Sequence, residues 1–190
     1  MSSNVTQLLD RNRAFAATDT RMHSPRPPFL PYRGLYIITC VDPRTDPAQF
    51  LGLGFAEAFV ARTIGGRVTP AVIQGLAFIG YLIESKAPEG PYFEAAIIHH
   101  TDCGTAGLAT DEQLRRGFAQ RTGYDEDALA DLAVLDPAAT VRADVGRVLS
   151  DPSMSPRITV SGHVYDLDTG LITTIVEPAS PTGSTAGLPV

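Results

Sequence analysis

Residues 34–44 read GLYIITCVDPR, an apolar, β-branched run that reaches a cysteine and continues into an acidic and a basic residue. Such a run is typical of a strand buried on both faces. A second run, FEAAIIH over residues 93–99, leads into the motif His100-Thr-Asp-Cys103-Gly104. Both cysteines of the chain therefore follow predicted buried strands. We expect the two strand ends to lie together, because open parallel sheets carry their ligand sites beyond the C-terminal ends of the strands.

The rest of the chain alternates between strand-like and helix-like segments. Period and turn signals predict strands at 34–39, 57–62 and 93–99, helices at 5–17, 71–84, 110–121 and 137–149, and a hairpin over 157–177. Residues 130–135 are compatible with a strand or a helix. This order predicts an α/β fold with a mainly parallel central sheet flanked by helices, an N-terminal helix and arm, and a C-terminal β-hairpin.

Three parts of the chain differ in composition. Residues 1–33 combine the amphipathic helix with a proline-rich arm, which we expect to contact another subunit. Residues 34–177 form the predicted α/β domain that carries both cysteine motifs, of ordinary size for one domain. Residues 178–190 are rich in Pro, Ser, Gly and Thr, which predicts a flexible tail.

Composition also limits the partners. The net charge is −6 and no basic run occurs, so we expect no nucleic-acid partner. No apolar stretch approaches the roughly 18 residues of a membrane span, and no signal-peptide pattern is present. We therefore predict a soluble, cytoplasmic protein. In a reducing compartment, two cysteines favour metal binding or catalysis over a disulfide.

The cysteine motifs predict one Zn²⁺ per chain. His100 and Cys103 can reach one ion from a single turn, and Cys40 adds a third ligand. Two thiolates and one imidazole leave a tetrahedral position open, as in catalytic zinc sites. The alternatives are two buried hydrophobic cysteines or a redox pair, although no Cys-x-x-Cys is present.

Residues next to these ligands suggest how the open position is controlled. Asp42 can accept a hydrogen bond from water on the zinc, or can occupy the fourth position itself, and Arg44 can hold Asp42 in a bidentate pair. The alternative for this pair is a surface ion pair of little energetic value. We expect Gly104 to offer a backbone N–H beside the ion and Asp102 to be a turn residue or a hydrogen-bonding neighbour of the site. We expect His99 to be packed or hydrogen-bonded rather than a ligand.

Cys40-x-Asp42-x-Arg44 followed by His-x-x-Cys-Gly resembles the β-class carbonic anhydrases, and the similarity extends over residues 34–177, including EAFVAR at 57–62. The resemblance implies a zinc enzyme that reversibly hydrates carbon dioxide to bicarbonate and a proton, with hydroxide on the zinc as nucleophile. It implies that the enzyme is a homodimer or higher homo-oligomer. The site residues it implies are the zinc ligands Cys40, His100 and Cys103, the catalytic pair Asp42 and Arg44, and Phe59 as an apolar wall of the substrate pocket, often at the subunit interface.

Two other functions remain compatible with the same motifs. Hydrolases of carbonyl sulfide and carbon disulfide share this zinc motif, and a non-catalytic zinc protein is the third alternative. The chain has no Trp, a residue that the bicarbonate-regulated members of the family use, so the resemblance favours an open fourth position.

Overall fold

A single five-stranded sheet forms the centre of the protein. The structure is a computed structural model, and it describes residues 4–18, 29–31, 34–86, 89 and 92–182. The strands are β1 (Leu35–Cys40), β2 (Ala58–Thr63), β3 (Glu94–His100), β4 (Thr159–Tyr165) and β5 (Ile172–Ala179), in the spatial order β2-β1-β3-β4-β5. The first four are parallel and β5 is antiparallel to β4. The predicted fold class is confirmed.

Seven α-helices connect or flank these strands in the described part of the chain. They are α1 (Asn4–Ala16), α2 (Pro47–Phe50), α3 (Pro70–Lys86), α4 (Gly107–Thr110), α5 (Glu112–Thr122), α6 (Glu126–Asp131) and α7 (Pro137–Ser150). The ambiguous segment 130–135 is the end of α6 and a turn, not a strand. Within the described residues, no helix is long and apolar enough to cross a membrane.

Local capping explains several of these boundaries. Asp111 accepts a hydrogen bond from the Leu114 backbone N–H and so starts α5 two residues later than the predicted Thr110. Asp136 accepts bonds from two backbone N–H groups at the start of α7, where Pro137 supplies a φ suited to the first turn. The hairpin strand β5 runs past the predicted end at Glu177. Most of the predicted arm (19–28, 32–33) and the tail from 183 lie outside the described residues.

The main core lies between the sheet and helices α3 and α7. Its members are apolar side chains that alternate along the strands and recur on one face of each helix, including Ile38, Ile97 and Val160 from the sheet, Val72 and Leu76 from α3, and Val141, Val145 and Val148 from α7. At Gly162 on β4, a Cβ atom would lie 2.9 Å from Val145 Cγ2, so only glycine allows α7 to approach the sheet this closely. This packing holds the strand ends in register.

The register brings the ends of β1 and β3 together. Thr39 is paired with Ile98 and Cys40 with Thr63. The last residues of β1 therefore lie beside His99 and His100, although about 60 residues of chain separate them. The predicted convergence of the two motifs is a direct result of parallel pairing.

Candidate metal centre and active site

Three potential ligands lie together at the C-terminal edge of the sheet. Cys40 ends β1, His100 ends β3, and Cys103 follows in the next turn. One ligand atom from each residue lies within 4.8 Å of the others, and all three residues are buried. The described residues contain no other such group of His, Cys, Asp or Glu. The spacing suits a single ion with nitrogen and sulfur ligands.

The imidazole of His100 has the orientation of a metal ligand. Its Nδ1 lies 2.8 Å from the Thr101 carbonyl oxygen, so Nδ1 carries the proton and donates. Nε2 is then an unprotonated acceptor, and it is buried with no hydrogen-bond partner in the structure. A buried lone pair without a partner is costly unless a ligand occupies it. The donor set therefore fits a metal ion.

The two thiols form a hydrogen-bonded pair in which Cys103 ionises more readily than Cys40. Their mutual hydrogen bond lowers the pKa of Cys103 well below its usual range and raises the pKa of Cys40, because one thiol donates while the other is stabilised as a thiolate. Thr105 Oγ1 lies 3.1 Å from Cys103 Sγ and accepts from the Val134 backbone N–H, which leaves its own proton for the sulfur. The Asp42 backbone N–H donates to Cys40 Sγ at 3.4 Å. These donors stabilise thiolates.

The predicted pair of Asp42 and Arg44 is present beside the cluster. Arg44 Nε donates to Asp42 Oδ1 at 3.0 Å, Nη2 donates to Oδ2 at 2.8 Å, and the Arg44 backbone N–H donates to Oδ1 at 2.9 Å. These hydrogen bonds from Arg44 lower the pKa of Asp42 to about 2, against a smaller opposing effect of burial. Asp42 is therefore ionised at neutral pH, and its orientation is set by a fork-shaped contact.

Arg44 has a second partner, Asp102, which was expected at a turn or beside the site but was not predicted to bind Arg44. Its Nη1 donates to Asp102 Oδ2 at 2.9 Å and its Nη2 to the Asp102 carbonyl oxygen at 2.9 Å. Asp102 has a φ of 51°, which suits the expected turn residue. Its contacts with Arg44 also make it a neighbour of the site. The guanidinium thereby joins the loop after β1 to the loop after β3.

Arg62 binds the backbone at the end of β1 and in the loop that follows it, and it was not predicted as a site residue. Its Nε donates to the Cys40 carbonyl at 2.9 Å and its Nη2 to the Asp42 carbonyl at 2.6 Å. The Thr45 hydroxyl, with a single proton, lies within hydrogen-bond distance of the same two carbonyls, at 3.1 and 2.9 Å. The sequence offered one signal for this role. Arg62 is a basic residue at the end of a predicted strand, where it can donate hydrogen bonds to backbone carbonyls at the end of a neighbouring strand. These contacts hold the Cys40 and Asp42 main chain in place.

A buried polar group lies behind the histidine pair. His99 Nδ1 is 2.8 Å from Thr140 Oγ1, and its Nε2 is 3.3 Å from Asp144 Oδ2. Arg67 Nε donates to Asp144 Oδ2 at 2.8 Å, and the Val68 backbone N–H donates to the same oxygen. Burial raises the pKa of Asp144, but the contacts from His99, Arg67 and Val68 outweigh it and lower this pKa to about 2. His99 is thus hydrogen-bonded, as expected, and is not part of the ligand cluster.

The turn after β2 needs glycine at two positions. Gly65 and Gly66 have φ of 69° and 70°. A Cβ atom on Gly66 would lie 3.1 Å from the Cys40 backbone nitrogen and 3.3 Å from His99 Cδ2. The turn therefore packs its backbone directly against the strand ends that carry the ligands.

The two predicted pocket residues lie in different places. Gly104 follows Cys103 directly, and a Cβ atom there would meet nothing within 4 Å, so its backbone borders open space next to the cluster. Phe59 lies four residues before Thr63 on β2, about 13 Å along the strand from the Cys40 level. Its ring contacts Phe29 and Tyr36. The structure does not bring Phe59 to the cluster of its own chain, so a wall at a subunit interface stays a prediction.

Fold and cluster together define a class of protein, an α/β protein with a Cys₂His group suited to a metal at the ends of parallel strands. The carbonic anhydrase family model matches residues 35–123. β-Carbonic anhydrase 1 of Mycobacterium tuberculosis is 30% identical over 143 residues, which cover 75% of this chain and 82% of the mycobacterial one. The chain belongs to the β-carbonic anhydrase family. This confirms the resemblance drawn from the motifs and the prediction of an enzyme of this type.

Two further comparisons bear on fold and substrate. The crystal structure of a carbonic anhydrase from Streptococcus mutans has a TM-score of 0.73 and 28% identity, covering 92% of this chain and 99% of that chain. A carbon disulfide hydrolase from Acidianus sp. is 25% identical over 160 residues, or 72% of this chain and 74% of the hydrolase. Family membership therefore leaves the choice of substrate open.

Proposed function

We propose that this protein is a zinc carbonic anhydrase that reversibly hydrates carbon dioxide to bicarbonate and a proton. The observation that carries the proposal is the ion pair of Asp42 with Arg44 beside a buried cluster that offers three potential ligands within the described part of the chain. A purely structural zinc site uses four protein ligands. Three ligands with an oriented carboxylate next to them leave one coordination position for chemistry.

The chain's own residues divide the work. Cys40, His100 and Cys103 would hold one Zn²⁺, and when bound the metal would supply the Lewis acidity that makes hydroxide available near neutral pH. Asp42, ionised at that pH, accepts a hydrogen bond from the nucleophilic oxygen and directs its lone pair towards the substrate carbon. Arg44 keeps Asp42 ionised and fixes the direction of the carboxylate.

Hydrolysis of carbonyl sulfide or carbon disulfide is the second candidate. The similarity to the Acidianus carbon disulfide hydrolase favours it, and these substrates are linear molecules that a nucleophile attacks at carbon, as in carbon dioxide. The 30% identity to a β-carbonic anhydrase supports carbon dioxide as the first candidate.

Stopped-flow kinetics on zinc-loaded protein would test the proposal. Carbon dioxide hydration should be fast and should rise between roughly pH 6 and 9, with carbonyl sulfide and carbon disulfide turned over at least a hundredfold more slowly. Cys103→Ser is the metal-site control, and elemental analysis should find it largely free of zinc. Preferred turnover of either sulfur substrate would favour the second candidate, and no turnover of any substrate by the zinc-loaded protein would reject both.

We also propose that the enzyme is a homodimer or a higher homo-oligomer. Leu8 and Leu9 on α1 are about half exposed, and Val60 is exposed on β2, an edge strand of the sheet. Exposed apolar side chains on a helix and on a sheet edge suit contact with a second copy. In light scattering, the double substitution Leu8→Glu and Leu9→Glu should shift the protein towards monomer, whereas Leu135→Glu, at another exposed leucine, should not. Equal masses for both variants would argue against α1 as the contact.

A further inference from the structure

The guanidinium of Arg44 is bound from two separate loops. Its Nε and Nη2 donate to the carboxylate of Asp42, in the loop after β1. Its Nη1 and Nη2 donate to the carboxylate and carbonyl of Asp102, between the ligands His100 and Cys103. Every nitrogen of the guanidinium is therefore used. Arg44 and Asp102 are 58 positions apart in the sequence, so this bridge exists only in the folded chain.

The contact with Asp102 does something that the contact with Asp42 cannot do. Asp42 and Arg44 are two residues apart in one loop, so their mutual hydrogen bonds do not fix either side chain relative to the loop after β3. Asp102 is attached to the loop that carries two of the three ligands. A bond from Arg44 to Asp102 therefore fixes the guanidinium, and with it the Asp42 carboxylate, relative to the metal cluster.

The backbone of Asp102 is shaped for this contact. Among the described residues, Asp102 and Ala56 are the non-glycine residues with positive φ. Aspartate tolerates this region better than most residues. In this conformation, the carboxylate and the carbonyl of Asp102 both reach Arg44. The Asp102 side chain is 82% exposed and that of Arg44 49%, so the pair contributes little to stability and its effect lies in orientation.

We propose that Asp102 is a positioning residue that holds Arg44, and through it the Asp42 carboxylate, away from the open coordination position. The inference rests on the proposed metal centre and deepens its description. Without the Asp102 side chain, Asp42 and Arg44 can turn together, and the Asp42 carboxylate can compete for the open position. An external anion should then bind the metal more weakly.

Thiocyanate binding to Co²⁺-loaded protein measures this competition through the visible spectrum of the metal, without any turnover. We expect Asp102→Gly to weaken thiocyanate binding about tenfold, and Asp102→Asn to weaken it by a smaller factor, because the asparagine amide oxygen can still accept a hydrogen bond from Arg44. Asparagine keeps the tolerance for positive φ and removes only the charge, whereas glycine removes the side chain and keeps the carbonyl. Asp168→Asn, in the exposed hairpin turn, is the charge-matched control and should leave affinity within twofold.

The direction of the effect separates positioning from simple electrostatics. Loss of a negative charge near the site should by itself strengthen anion binding, so tighter or unchanged binding in both Asp102 variants would overturn the inference. Asp102→Gly should add less than a twofold change in an Arg44→Ala background, because the arginine through which Asp102 acts is then missing. A full tenfold effect in that background would also overturn it. Metal content is measured first, so failure to bind Co²⁺ would count against the metal centre instead.

Discussion

Two arginine–aspartate groups border the ligand cluster and differ in their exposure to solvent. In the first, the side chains of Arg44 and Asp42 are 49% and 14% exposed, and in the second, those of Arg67 and Asp144 are 7% and 0% exposed. Both carboxylates have their pKa lowered to about 2. The same chemistry therefore has different consequences. The Asp42–Arg44 group, with half of its arginine exposed, can meet substrate, and water can solvate the arginine if the aspartate is removed, whereas the buried group stabilises the support behind His99.

The largest expected effect on stability comes from breaking the buried group. Asp144→Asn leaves the Arg67 guanidinium buried without a counter-charge, and removal of one partner of a buried ion pair costs about 3–5 kcal/mol. Urea unfolding of the variant should report a loss of this size. Asp168→Asn, an exposed aspartate, should change the free energy of unfolding by less than about 0.5 kcal/mol. Equal effects at the two positions would remove the contrast between the groups.

Breaking the Asp42–Arg44 group should affect activity more than stability. Asp42→Asn removes the ionised acceptor that we propose directs the nucleophile, so carbon dioxide hydration should fall by about 10²–10³-fold. The variant should retain zinc, and its free energy of unfolding should fall by less than that of Asp144→Asn, because water can solvate the half-exposed Arg44 guanidinium that is left. Stopped-flow kinetics, elemental analysis and urea unfolding measure the three quantities. Turnover at the level of the unchanged protein would exclude Asp42 from catalysis.

Acid should remove the contribution of the Asp144 charge to the free energy of unfolding. Its pKa is lowered on folding from 3.8 to about 2, so ionised Asp144 stabilises the fold above pH 4, and this contribution disappears as the pH falls towards 2. The shift corresponds to about 2 kcal/mol. The difference in unfolding free energy between the unchanged protein and Asp144→Asn should therefore shrink by about this amount between pH 5 and 2. A difference independent of pH would mean that the Asp144 charge does not stabilise the fold.

The smallest expected effects come from substituting two threonines, Thr105 beside Cys103 and Thr140 beside His99. Thr105→Val removes the hydroxyl donor to Cys103 and should weaken zinc binding about tenfold in a chelator competition. Thr140→Val removes the hydroxyl beside His99 and should cost about 1 kcal/mol of stability, with zinc affinity within twofold. The reverse pattern would show that His99 and not Thr105 governs metal affinity.

Much of the site was accessible to sequence reasoning because its signals are local. Cys40 and Cys103 each follow an apolar run within a few residues, and ligand chemistry restricts what such residues can bind. The fork between Asp42 and Arg44 spans two residues, so a single loop can form it. The ambiguous segment 130–135 was not resolved because a short apolar run suits a helix end, a turn or a strand equally well.

The long-range partners of three arginines, Arg44, Arg62 and Arg67, could not be predicted from the sequence. Arg67 and Asp144 are 77 positions apart and Arg44 and Asp102 are 58 apart, and no local period links such residues. Asp144 reads in the sequence as an ordinary polar residue of helix α7, and only burial makes its charge consequential. Arg62 is similar, since its partners are backbone carbonyls that carry no side-chain signature.

Local patterns were thus sufficient for the alternation of strands and helices, the choice of three potential metal ligands and the pairing of Asp42 with Arg44, because periodicity and donor chemistry act over short stretches of chain. The tertiary structure alone decided that the lone pair of His100 is left free, that Arg44 joins two loops, and that Asp144 is buried against Arg67. These features depend on parallel register and on exclusion of water, and both arise only when distant segments pack together.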